Sequence, residues 1–119
     1  MDKTLLDTDI FSEILKKRNA NVKERAESYH AVFKRYTVSV ITVTEIVRGF
    51  HKARREDGIQ RFLAAMLSAE ILTLNLKSSE LAGRIYADLE GAGQTIGRAD
   101  PMIAAIALEN DLVLTTGNT

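Results

Sequence analysis

Three acids stand where chemistry could be done: Asp7 in LLDTDIF, Glu45 in ITVTEIVRGF and Asp100 in GRADPMIAAIAL. Brought into one pocket, three carboxylates repel one another unless a cation neutralises them. Ligand atoms that are all hard oxygens select Mg²⁺ or Mn²⁺. The chain contains no Cys and two His, which removes thiolate ligands, disulfides, iron–sulfur clusters and thiol nucleophiles. A divalent ion in such a site polarises a phosphoryl oxygen and acidifies a bound water. The three acids therefore point to phosphodiester hydrolysis.

Taken singly, each acid also has an ordinary capping reading. Asp9 is a good N-cap for a helix beginning near Ile10, which leaves Asp7 with no capping task. Thr42 and Glu45 have the T-x-x-E spacing of a capping box. Asp100 followed by Pro101 is a favoured start for a helix. Gly49 lies one turn after Glu45, where a missing side chain would clear space beside the carboxylate. Arg48 and Lys52 share that face and could meet phosphates, although Arg48 could equally pair with Glu45. Together with His51, Arg54 and Arg55 they form the one dense basic stretch, which has a plain reading as a solvated helix face.

The elements that must position these residues alternate along the chain. Thr4-Leu5-Leu6 reads as a buried strand closed by an acid, and helical spacing follows through Ile10, Phe11, Ile14 and Leu15. After a break at Asn19-Ala20-Asn21, Val22, Ala26, Tyr29, Phe33 and Tyr36 recur at steps of four and three. The β-branched run Thr37–Ile41 predicts a second strand, followed by a helix with Val43, Ile46, Val47 and Phe50 on one stripe. That helix continues, with a break expected near Asp57-Gly58, into Ile59, Phe62, Leu63 and Met66. Ile71–Leu74 is a third strand, Lys77 to Leu89 a helix and Gly91–Gln94 a loop. Asp100-Pro101 opens the most apolar helix, through Leu108, and Leu112–Thr115 is the last strand.

Such alternation predicts βαβ units: an α/β fold, a three-layer α/β/α sandwich with a mainly parallel central sheet. Ligands of parallel sheets bind beyond the carboxyl ends of the strands, where helix N-termini also gather. Positions 7, 45 and 100 would then meet at one sheet edge, however far apart in sequence.

The chain has 119 residues, which is one domain, 1–119. Sixteen Lys+Arg balance sixteen Asp+Glu. Nucleic acid would thus be held by a local basic patch or a metal rather than by bulk charge. The N-terminus lacks the apolar run of a signal peptide, and Met102–Leu108 falls far short of the ~20 residues of a membrane span. A soluble, cytoplasmic protein without membrane contact is expected.

The segments LLDTDIFSEIL, ITVTEIVRGF and RADPMIAAIALENDLVLTTGNT, in this order and spacing, resemble PIN-domain proteins across essentially the whole chain. More narrowly, they are similar to the VapC toxins of bacterial type II toxin–antitoxin systems. The resemblance implies an endoribonuclease with acids gathered around Mg²⁺ or Mn²⁺. Carried over by motif, Asp7, Glu45 and Asp100 are the core catalytic acids and metal ligands, with Glu45 acting partly through waters. Asn118, in TTGN, falls on a fourth catalytic position. The resemblance further implies a homodimer, an RNA substrate and a cognate VapB-like antitoxin whose C-terminal segment lies along the toxin's helices. The stripe Val22–Tyr36 and the first helix are the docking surfaces it points to. Members of the family run on past the Asn into a Phe-containing loop and a final strand, so a shortened C-terminal end is expected. Many also carry Arg where this chain has Gly117.

Two other readings compete. One takes LLDTD as the D-x-D of a haloacid-dehalogenase-like phosphatase with Asp7 as nucleophile. That motif continues into Gly-Thr, where this chain has Ile10-Phe11. The other is a catalytically silent PIN-like binding module whose acids only cap helices.

Overall fold

The computed structural model describes residues 1–93 and 100–116. The elements run β1 (Thr4–Leu6), α1 (Thr8–Lys16), α2 (Ala20–Phe33), β2 (Thr37–Ser39), α3 (Val40–Lys52) and α4 (Glu56–Met66). They continue with β3 (Glu70–Leu72), α5 (Leu76–Gly91), α6 (Asp100–Glu109) and β4 (Val113–Thr115). The strands form one parallel sheet in the order β3-β2-β1-β4. This is the expected three-layer α/β sandwich. No helix among the described residues is long and apolar enough to cross a membrane.

Neighbouring residues of β1 serve opposite faces of the sheet, as pleating requires. Leu6 packs with Phe11 of α1, Val38 of β2, Ile46 of α3, and Phe62 and Met66 of α4. Leu5 packs with Ile103, Ile106 and Ala107 of α6. Helix α6 buries Pro101, Ile103, Ala105, Ile106 and Ala107 and is covered in turn by α5, which accounts for its nearly all-round apolarity. On the opposite face, the Tyr29 hydroxyl of α2 meets both the N–H and the carbonyl of Thr4, at 3.2 and 3.3 Å. That contact fastens α2 to the start of β1.

Several boundaries differ from the sequence reading, among them β3, which spans Glu70–Leu72 rather than Ile71–Leu74, and α1, which begins at Thr8 rather than near Ile10. Strand β2 ends at Ser39, and the β-branched Val40 and Ile41 open α3 instead. The cause is local: the Ser39 hydroxyl accepts from the Thr42 N–H at 3.1 Å, a cap that outweighs the strand preference of those two residues. The helical hairpin breaks at residues 53–55, where Arg54 takes a left-handed φ of 58°, rather than at Asp57-Gly58. Gly58 lies inside α4, under the Phe50 ring. A β-carbon there would come within 2.5 Å of two ring atoms.

Candidate active site

Leu6 pairs with Val38 on one side and with Thr115 on the other. The residues that follow, Asp7, Ser39 and Thr116, consequently emerge together at the carboxyl edge of the sheet. The Asp7 N–H donates to the Thr115 carbonyl at 3.0 Å. Its side-chain Oδ1 accepts from the Ile10 N–H at 2.8 Å, which makes Asp7 the N-cap of α1. The cap was expected from Asp9. Strand β1 hands over to α1 through a single residue, so Asp9 falls inside the first turn, exposed, where its charge still favours the helix dipole.

At the second strand the capping box is likewise absent. Ser39 caps α3, and Thr42 is fully buried at the third helical position. Glu45 therefore has no capping role. It accepts a 2.5 Å hydrogen bond from the Thr8 hydroxyl. Thr8 also lies 3.1 Å from the Thr42 hydroxyl, which in turn accepts from Ser39 at 3.4 Å. A carboxylate can only accept, so the single Thr8 proton goes to Glu45 and Thr42 must donate to Thr8. The hydroxyls thus form a directed chain from Ser39 through Thr42 and Thr8 to Glu45.

Asp100 is the first residue of α6 and is exposed. Tyr86 of α5 reports where it lies. Burial, then the charge of Asp100, then that of Glu45, push the Tyr86 hydroxyl above the ordinary tyrosine range. Acids from α3 and α6 therefore act on one phenol of α5. Among the described residues, no group of three or more His, Cys, Asp or Glu side chains is gathered closely enough to form a ready metal cage. Asn118 lies outside the described residues.

The remaining expectations sort cleanly. A β-carbon at Gly49 would meet nothing within 4 Å, so the space on that side of α3 is open. Arg48 forms no ion pair with Glu45 among the described residues. It is exposed, as are His51, Lys52 and Arg54. Arg55 is engaged: its guanidinium grips both Asp57 oxygens at 3.0 Å and holds that carboxyl at a pKa of about 2. Sequence reasoning missed Thr8 and Ser39, gave Thr42 only a capping task, and missed Tyr86. The middle residue of D-T-D and the S-x-x-T spacing were visible signals for the first three. Nothing in the sequence marks Tyr86.

The donor atoms at this edge are carboxylate and hydroxyl oxygens, a set that fits Mg²⁺ or Mn²⁺ and not a soft metal. A groove of about 550 Å³ opens on the α1–α2 side, lined by Ile10, Ile14, Val22 and Tyr29 and reaching Thr115 and Thr116. It ends beside the strand from which Asp7 is held.

A sequence profile of the PIN domain matches residues 4–119. The chain is 28% identical over 120 residues to the tRNA(fMet)-specific endonuclease VapC of Shigella flexneri, covering 100% of this chain and 89% of that protein. It is 31% identical over 122 residues to Ribonuclease VapC2 of Haemophilus influenzae, covering 99% and 88%. It matches a chain of the DNA-bound VapBC crystal structure from Salmonella typhimurium with a TM-score of 0.82 and 28% identity, covering 99% of this chain and 88% of that one.

Proposed function

As the chain belongs to the PIN domain family, we propose that it is a metal-dependent endoribonuclease, the toxin of a toxin–antitoxin pair. The observation that carries this reading is the PIN-domain match over residues 4–119, together with Asp7 emerging at the carboxyl edge of the parallel sheet. Relatives named VapC ribonuclease or endonuclease match along nearly the whole chain and support it.

Asp7 and Asp100 would hold Mg²⁺ or Mn²⁺, with Glu45 contributing partly through water. When bound, the ion supplies Lewis acidity to a phosphoryl oxygen and acidifies the attacking water. The chain's own contribution would be to bring these carboxylates to one ion, with exposed Arg48 and Lys52 on α3 offered to the RNA backbone. From the TTGN motif alone, Asn118 is assigned the fourth catalytic position. A VapB-like antitoxin segment occupies the groove along α1 and α2, whose far end at Thr116 brings it to the acids. The protein acts in the cytoplasm as a homodimer.

The test is RNA cleavage with added Mn²⁺ by the wild type and by Asp7→Asn and Asp100→Asn. Loss of cleavage in both variants is expected; undiminished cleavage in both refutes the assignment. A silent binding module gains one observation, since Asp7 does cap α1. It is separated by the wild type, which in that case cleaves nothing.

A further inference from the structure

Glu45 is half-buried on α3, one and a half turns from the helix start, with a long side chain whose carboxylate must be placed. Among the described residues, one hydrogen-bond donor reaches it, the Thr8 hydroxyl. Thr8 follows Asp7 directly and opens α1, so it joins the exit of β1 to the acid supplied after β2. Thr42 and Ser39, which feed that hydroxyl, are fully buried, so their positions are fixed by the sheet edge itself. A hydroxyl suits this task better than a cation. It orients a carboxylate oxygen while leaving the negative charge unneutralised, and an Arg or Lys in its place would compete with the metal. Chained hydroxyls also strengthen one another at low local dielectric.

We infer that Thr8 is a positioning residue for Glu45, presenting its carboxylate for metal binding through a hydroxyl chain anchored at Ser39 and Thr42. The inference rests on the metal-dependent reading above. Removing the hydrogen-bond partner of a metal ligand typically weakens metal binding by about 10–100-fold.

The experiment is calorimetric titration of Mn²⁺ alone into the wild type, Thr8→Val, Thr8→Ser, Glu45→Gln and the double variant Thr8→Val/Glu45→Gln. Thermal melts are recorded on the same samples. Expected are Mn²⁺ binding at least about tenfold weaker in Thr8→Val, wild-type binding in Thr8→Ser, and no further loss when Thr8→Val is added to Glu45→Gln. A melting temperature shared by Thr8→Val and Thr8→Ser would place the loss in the site and not in the fold. Should Val fail to fold here, Thr8→Ala is judged by the same criteria. Wild-type affinity in Thr8→Val, or an equal loss with and without Glu45, overturns the role of Thr8 and leaves the metal site standing. A wild type that binds no Mn²⁺ overturns the metal reading itself, and this inference with it.

Discussion

The Asp7 N–H donates to the Thr115 carbonyl at 3.0 Å, so the residue that turns β1 into α1 is also tied to the end of β4. Asp7 thus has two separable jobs, since its Oδ1 caps α1 and its charge serves the site. Asn is as good an N-cap as Asp, whereas Ala costs about 1 kcal/mol. Asp7→Asn should therefore melt near the wild type yet lose RNA cleavage. Asp7→Ala should lose both cleavage and about 1 kcal/mol of stability in urea titration.

Gly49 and Gly58 should respond oppositely to the same substitution. A β-carbon at Gly58 would lie 2.5 Å from the Phe50 ring, so Gly58→Ala should destabilise by about 1–3 kcal/mol. Replacing Phe50 by Leu in the same chain should recover part of that loss. At Gly49 the space is open, and Ala there should stabilise α3 by about 0.5–1 kcal/mol. Urea midpoints of the three variants check both signs.

How far the sequence could be read depends on the range of the interaction concerned. Short apolar or β-branched runs placed all four strands, and strand–helix alternation gave the parallel sheet, because both signals are local. Cap assignment was not legible. Whether Asp7 or Asp9, Ser39 or Thr42 takes the cap turns on where a strand ends, and a shift of two residues exchanges their roles. The Gly58–Phe50 approach and the placement of Tyr86 near Glu45 and Asp100 depend on tertiary packing that no spacing encodes.

Acid should weaken the fold through Glu70. The Lys3 ammonium at 2.6 Å is the main cause that holds this carboxyl below the ordinary glutamate value of 4.5, helped by Thr37 at 3.0 Å and Arg35 at 3.6 Å. A depressed folded-state value contributes stability above the unfolded value and loses it as pH falls through the folded one. The melting temperature of the wild type should drop progressively below about pH 4.5. Glu70→Gln should melt lower at pH 7 and show a shallower decline over the same acid range.

Arg48 and Lys52 should reveal themselves in the salt dependence of RNA binding. Each phosphate contact to a single strand contributes about 0.7 to the slope of log K against log salt. With Asp100→Asn to prevent cleavage, Arg48→Ala and Lys52→Ala should each reduce that slope by about 0.7. Arg55→Ala should change it far less, because Arg55 is already held by Asp57. Equal reductions from all three would instead mark a diffuse basic face.

The proposal that Asp7 at the α1 N-cap and the acids of α3 and α6 hold divalent metal is addressed most directly by Mn²⁺ calorimetry. The wild type should bind Mn²⁺ at a carboxylate site that disappears in Asp100→Asn and in Asp7→Asn, with the fold of both variants intact by circular dichroism. Mn²⁺ binding that persists unchanged in both folded variants would contradict the account.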